Sequence, residues 1–245
     1  MSISEEMRVI ILAGGLGTRL RPYTVTLPKP LVPLGDRSIL DIVLLQLQRC
    51  GVKHVTMAVN HLSHLIMAYF GNGERWGMNI DYSIEQRSLS TIGPLKLIKD
   101  LPENFLVMNG DVLTDLGFTE LFRWHIEQKA DMTVAMCSRD SKIDFGVIKT
   151  DKNGNIIGFE EKPLYHHNVS MGVYAINRGL LELVPEGVSF GFDDLMLTCL
   201  RKKRRVFGYF HDGYWLDIGR PDDYQEANDR FEELIKRLFP EGIPE

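Results

Sequence analysis

An apolar run, Val9–Ala13, breaks directly into Gly14-Gly15-Leu16-Gly17, and no other feature constrains this chain as strongly. An extended segment that ends in glycines brings successive backbone N–H groups up to a bound anion, because no Cβ stands in front of them. Arg19 and Lys29 add two cations to the same loop. Such a loop suits a nucleoside triphosphate whose phosphates are to be worked on. Two common phosphate loops are excluded by spacing. No Gly-Lys-Ser/Thr follows at the P-loop interval, and Gly17 is followed by Thr18 and Arg19 rather than by a third spaced glycine opening a helix.

The rest of the chain narrows the setting. Its 245 residues, 44% hydrophobic and 25% charged, suffice for one sizeable α/β core. A net charge of −5 argues against a general nucleic-acid binder. Cys50, Cys137 and Cys199 are odd in number and widely spaced, so neither a disulfide framework nor a zinc site is expected, and a reduced cytoplasmic setting fits. The opening MSISEEMR is polar and acidic, unlike a signal peptide. No apolar run approaches the ~20 residues a membrane helix needs, and no internal repeat is visible.

Periodicity alternates strand with helix. Strands are expected at Val9–Leu12, Val55–Val59, Ile80–Ile84, Phe105–Met108 and Met132–Met136, with helices at Ser38–Cys50 (capped by Ser38), Leu62–Phe70 and Phe118–Gln128. That rhythm predicts a three-layer α/β/α, Rossmann-like, mixed and mostly parallel sheet. From Phe145 it changes: Phe145–Thr150 and Ile156–Glu160 flank Asp151-Lys-Asn-Gly-Asn155, a hairpin signal. A strand at Val169–Ile176 and helices at Asp193–Lys203 and Asp222–Leu238 complete the reading. One domain is expected over 1–245, with a nucleotide-facing half at about 8–140 and a second half at about 141–230.

Ligands of open α/β sheets sit beyond the carboxyl ends of the strands, so residues at those ends are candidates. Asp111 in Phe105-Leu-Val-Met-Asn-Gly-Asp111 is one, a carboxylate fit for a hard cation such as Mg²⁺.

Taken with Thr18-Arg-Leu-Arg-Pro22 and Leu27-Pro-Lys-Pro-Leu-Val-Pro33, the glycine turn resembles the sugar-1-phosphate nucleotidyltransferases, whose pattern runs L-A-G-G-x-G-T-R-L-x-P-x-T and then P-K-P-L-x-P. The resemblance extends from about Arg8 to Asn228 and is nearest to short mannose-1-phosphate or manno-heptose-1-phosphate guanylyltransferases, without the C-terminal β-helix some members carry. It implies transfer of a nucleotidyl group from an NTP to a sugar 1-phosphate, with release of pyrophosphate. It further implies that Leu12, Ala13, Gly14, Gly15, Gly17, Thr18, Glu85, Ser90, Thr91, Asn109 and Gly110 hold the nucleotide, and that Mg²⁺ sits on Asp111 and Asp217. Arg19, Lys29, Asp111 and Lys162 would carry catalysis. Glu161-Lys162-Pro163, Phe145-Gly146-Val147 and Ser170-Met-Gly172 match the family's sugar-binding elements, placing Gly146, Glu161, Lys162, Ser170 and Gly172 on the sugar phosphate. A homodimer is also implied.

Two departures stand out. Ser170 replaces the family's usual Asn, and Ser90 and Ile92 replace Gly and Ala in the loop that packs on the base, which should make that loop tighter or displaced. Glu85 at the base-reading position offers acceptors only, complementing the N1–H and N2–H₂ donors of guanine. GTP is therefore favoured, while uridylyl, thymidylyl or cytidylyl transfer to a sugar or non-sugar phosphate, and a non-catalytic nucleotide-sugar sensor, stay open. His61/His64 and His166/His167 lack a third metal ligand nearby, Asp151–Asn155 lacks the closing Glu of a calcium loop, and Arg201–Arg205 reads as the basic end of a helix.

Overall fold

The computed structural model describes residues 6–243. Among these residues thirteen strands occur: β1 Arg8–Leu12, β2 Pro33–Leu34, β3 Arg37–Ser38, β4 His54–Val59, β5 Asn79–Ile84, β6 Asn104–Asn109, β7 Val112–Thr114, β8 Met132–Lys142, β9 Val147–Thr150, β10 Ile156–Glu160, β11 Leu164–Asn177, β12 Val206–Phe210 and β13 Trp215–Asp217. The helices are α1 Ile39–Arg49, α2 Ser63–Phe70, α3 Phe118–Glu127, α4 Phe192–Arg201, α5 Pro221–Asp229 and α6 Phe231–Leu238.

Seven strands form one sheet in the order β12-β8-β11-β6-β1-β4-β5. Every neighbouring pair is parallel except those made by β11, which runs against both β6 and β8. The expected mixed, mostly parallel sheet is thus present. Alternation of side chains along each strand splits the core in two. Val9 and Ile11 of β1 with Leu106 and Met108 of β6 face one cluster, which α1, α3 and α6 complete. Ile10, Phe105 and Val107 face the other, which is closed by Leu195 and Cys199 of α4 and by Ile92, Leu95 and Leu180 from short 3₁₀ turns. With apolar side chains on both faces, the central strands need cover from both sides, so three layers result.

Local expectations are met with instructive exceptions. Ser38 caps α1, its Oγ accepting from Asp41 N at 3.2 Å. The 151–155 segment is a hairpin turn in which Asp151 Oδ1 accepts from Asn153 N (2.8 Å) and Asn155 N (2.9 Å). The helix expected over 222–238 is instead two, broken at Arg230, whose φ of −109° and ψ of 24° leave the helical region. β8 and β11 run well beyond the apolar segments that announced them. β7 and β13, at three residues each, are too short to announce themselves, and β12 is apolar but short, interrupted by Gly208 and placed directly after a basic run, so none of the three was expected. Among the described residues, no helix is long and apolar enough to cross a membrane.

Candidate active site

A cavity of about 540 Å³ opens at the carboxyl ends of β1, β4 and β6. Fourteen of the sequence candidates line it: Leu12, Ala13, Gly14, Gly15, Gly17, Thr18, Arg19, Lys29, Glu85, Ser90, Thr91, Asn109, Gly110 and Asp111. β1 holds the glycine turn in place because Ala13 N donates to Ala58 O of β4 (2.8 Å) and Gly110 N donates to Leu12 O (3.1 Å). Gly17 takes a φ of +59°, and a Cβ there would stand 2.9 Å from Thr24 Cγ2, so backbone and packing both require glycine. Thr24 Oγ1 in turn donates to Gly17 O (2.8 Å), pinning the loop that carries Arg19.

At the other end of the turn lie two carboxylates. Asp111 follows β6, and Asp217 ends β13, which pairs with β7 so that Asp217 faces Val112. Lys29 Nζ ion-pairs with Asp111 Oδ2. Asp111 Oδ1 is buried without a hydrogen-bond partner among the described residues. Burial, reinforced by the neighbouring Asp111, pushes the Asp217 carboxyl up to about 6. Arg19 approaches the same point: a Cβ on Gly219 would be 3.2 Å from Asp217 Oδ2 and 3.4 Å from an Arg19 guanidinium nitrogen. Two crowded carboxylates, one with an idle oxygen, form a site that a divalent cation would relieve, and oxygen donors are what Mg²⁺ takes. Among the described residues no group of three or more His, Cys, Asp and Glu side chains gathers, so the remaining ligands would come from phosphate oxygens and water.

Glu85, one residue past β5, is nearly buried, and burial raises its carboxyl above the usual range. Its Oε2 accepts from Leu89 N (3.0 Å), fixing the start of the 85–92 loop. That loop is stitched to the segment before α4: Phe190 N donates to Leu89 O, Ile92 N and Gly93 N both donate to Phe190 O, and Phe192 N donates to Thr91 Oγ1. Ser90 accepts the left-handed backbone, φ +67°, that the family's glycine would adopt freely. Ile92 is fully buried in the core. The bulkier residues are therefore absorbed by strain at one position and by core packing at the other.

The sugar-side candidates are not gathered with the rest. Gly146, Glu161, Lys162 and Ser170 are exposed, and with the buried Gly172 and with Asp217 they fall outside the lining of the cavity. Gly146 and Glu161 do meet at the hairpin base, where a Cβ on Gly146 would lie 3.3 Å from Glu161 Oε2. Gly172 has φ +74°, and a Cβ there would strike Asn109 Nδ2 at 2.6 Å, so this bulge of β11 touches the cavity wall. Ser170 donates to Tyr174 OH (3.2 Å) and accepts from Gly172 N (3.3 Å). Its hydroxyl thus holds the bulge. Asn60, Ser88 and Gly219 line the cavity without having been singled out from sequence. Asn60 directly follows β4, so the strand-end rule that found Asp111 applies equally to it.

A family model described as Nucleotidyl transferase matches residues 8–233. The chain belongs to that family. It is 34% identical over 233 residues to a D-glycero-alpha-D-manno-heptose 1-phosphate guanylyltransferase of Aneurinibacillus thermoaerophilus, spanning 94% of this chain and all of the relative. A UTP–glucose-1-phosphate uridylyltransferase of Synechocystis sp. is 31% identical, over 90% of this chain and 62% of the relative. The crystal structure of HddC from Yersinia pseudotuberculosis complexed with GMP-PN superposes with a TM-score of 0.71 at 26% identity, covering 92% of this chain and 99% of that one. Two of these three are named with a guanine nucleotide and one with UTP, so the family does not fix the base and it must be read from the site.

Proposed function

We propose that the chain transfers a guanylyl group from GTP to a hexose or heptose 1-phosphate, releasing pyrophosphate. The observation that carries this reading is the gathering of the glycine turn, Arg19, Lys29 and Asp111 around one cavity, with Asp217 beside Asp111 just outside its lining and the acceptor-only Glu85 at the other end. The guanylyltransferase relative and the GMP-PN complex of HddC support the choice of guanine. An oxygen of the sugar phosphate attacks the α-phosphorus in line, one P–O bond forms, and the bond to the pyrophosphate oxygen breaks. Both reactants are anions, so the protein's task is alignment and neutralisation. Backbone N–H groups of Gly14–Thr18 hold the β- and γ-phosphates. Arg19 stabilises charge on the α-phosphate and the leaving pyrophosphate, Lys29 neutralises the α-phosphate, and Lys162 steers the sugar phosphate. Mg²⁺ on Asp111 and Asp217 would supply positive charge between the reactants. No general base is required, because the attacking oxygen is already ionised.

Within this proposal, residues of about 8–140 serve the nucleotide and those of about 141–230 the sugar, as a homodimer in the cytoplasm. Asp111→Asn tests the assignment: turnover should fall about 10²–10³-fold with the fold intact, the size typical of losing one electrostatic stabiliser. Near wild-type pyrophosphate release would remove the carboxylates from the mechanism.

A further inference from the structure

The base end of the cavity holds one polar group that the protein itself leaves without work. Asn60 and Glu85 stand side by side, each the first residue past its strand: β4 and β5 pair with Val59 opposite Ile84, and Glu85 N donates to Val59 O at 2.9 Å. Asn60 Nδ2 is buried and has no hydrogen-bond partner among the described residues. Leaving such a donor unpaired costs about 1–3 kcal/mol, so a bound molecule that accepts from it would recover that cost. A local structural duty does not explain it. Helix α2 begins three residues later without any side-chain cap, and only the backbone carbonyl of Asn60 serves there, accepting from Ser63 N. Glu85 has spent Oε2 on Leu89 N, while Oε1 faces Gly14. A Cβ on Gly14 would stand 2.9 Å from Glu85 Oε1 and 3.2 Å from Asn60 Cβ, so glycine leaves open the wedge between the two side chains.

We infer that Asn60 and Glu85 act as one reader of the nucleobase edge: the Asn60 amide donates to O6 of guanine, and the free Glu85 oxygen accepts from N1–H and N2–H₂. The inference rests on the guanylyl-transfer reading and adds to it a second specificity residue and a rule of exclusion. Adenine and cytosine would set an amino group against the Asn60 donor and a ring-nitrogen lone pair against the carboxylate. Uracil and thymine satisfy the amide and offer one N–H, then present O2 to the carboxylate where guanine presents an amino group. Of the five bases, guanine alone meets every group with its complement.

The test measures dissociation constants by calorimetry, with Mg²⁺ and without a sugar, for GTP, ITP (no 2-amino group) and 6-thio-GTP (a poor acceptor at position 6). Wild type should bind GTP about 10-fold tighter than either analogue, the size of one base-edge contact. Asn60→Leu should flatten the GTP/6-thio-GTP ratio toward one and leave the GTP/ITP ratio standing; Glu85→Gln should do the reverse. A merely structural role would lower affinity for all three nucleotides together and leave both ratios unchanged, which would overturn the inference. Asn60→Asp, nearly isosteric, gives the same readout should the leucine variant fail to fold. Tighter binding of UTP than of GTP by wild type would overturn the base reader while leaving nucleotidyl transfer intact. Binding of no nucleoside triphosphate would end both readings.

Discussion

Gly14→Ala tests the geometry of the base end more sharply than removal of any charged group. No positive φ is needed at Gly14, so alanine can adopt the backbone, and the whole effect comes from where its methyl would sit. That point is 2.9 Å from Glu85 Oε1, closer than a carbon atom sits in folded proteins, and a tight 3.2 Å from Asn60 Cβ. Backbone atoms hold the glycine turn, so the Glu85 carboxylate must give way and strain its bond from Leu89 N. Overpacking of this kind costs about 2 kcal/mol. Reduced freedom of the unfolded chain returns ~0.5–1 kcal/mol, which leaves a net loss of about 1–1.5 kcal/mol and a fall in Tm of about 3–5 °C at this chain length. Under the proposed base contact of Glu85, KM for GTP should rise by about 10-fold when its carboxylate is displaced. The control is Glu85→Ala, which removes the obstructing oxygen. In that background Gly14→Ala should cost little, so the two substitutions couple by about 1 kcal/mol or more. A stabilising Gly14→Ala, or the same cost in both backgrounds, would refute the reasoning.

Two further outcomes concern stability against pH. The Asp217 carboxyl is raised to about 6 by burial and by Asp111, so the folded state resists its ionisation. This contribution to stability is full below the unfolded value near 4 and is lost as pH rises through about 6. In EDTA, thermal melts should therefore show Asp217→Asn gaining on wild type between pH 4 and pH 7, and equal slopes would contradict the placement. His125 is fully buried, hydrogen-bonded through Nδ1 to Thr133 Oγ1 (2.8 Å), and its pKa is lowered to about 4 by burial. Here the sign is opposite: stability is full above pH 6.5 and lost as pH falls toward 4, by about 3 kcal/mol over that window. Wild type should lose Tm across it relative to His125→Gln, with NMR titration of the imidazole as an independent check.

The parts of the fold legible in the sequence are those where local chemistry and burial agree. β1, β4 and β6 are apolar runs ending in turn residues, and they place the glycine turn and Asp111 at one edge without further help. Ser38 announces its own cap. Legibility stops where pairing outlasts the hydrophobic pattern: β8 is buried to Cys137 and then continues to Lys142 as exposed polar strand paired with β11. The break between α5 and α6 involves neither glycine nor proline, only Arg230 leaving helical torsions where the chain turns. Motif matching named candidates for both halves of a site but not their spacing. Lys162, at φ +43°, stands on the exposed hairpin outside the cavity lining, because the hairpin hangs from the sheet by its own turn chemistry rather than by core contacts. Asn60 satisfies the same strand-end rule as Asp111, but an amide carries no charge to mark it as a ligand, and its place beside Glu85 becomes visible only once β4 and β5 are paired.

The most direct test of the account is pyrophosphate release by wild-type protein with Mg²⁺, across GTP, UTP, dTTP, CTP and ATP against a panel of hexose and heptose 1-phosphates. The account predicts turnover confined to GTP with one or a few of the hexose or heptose 1-phosphates, and its loss on chelation of the metal. Turnover with a pyrimidine triphosphate in preference to GTP, or none with any pair while GTP still binds, would contradict it.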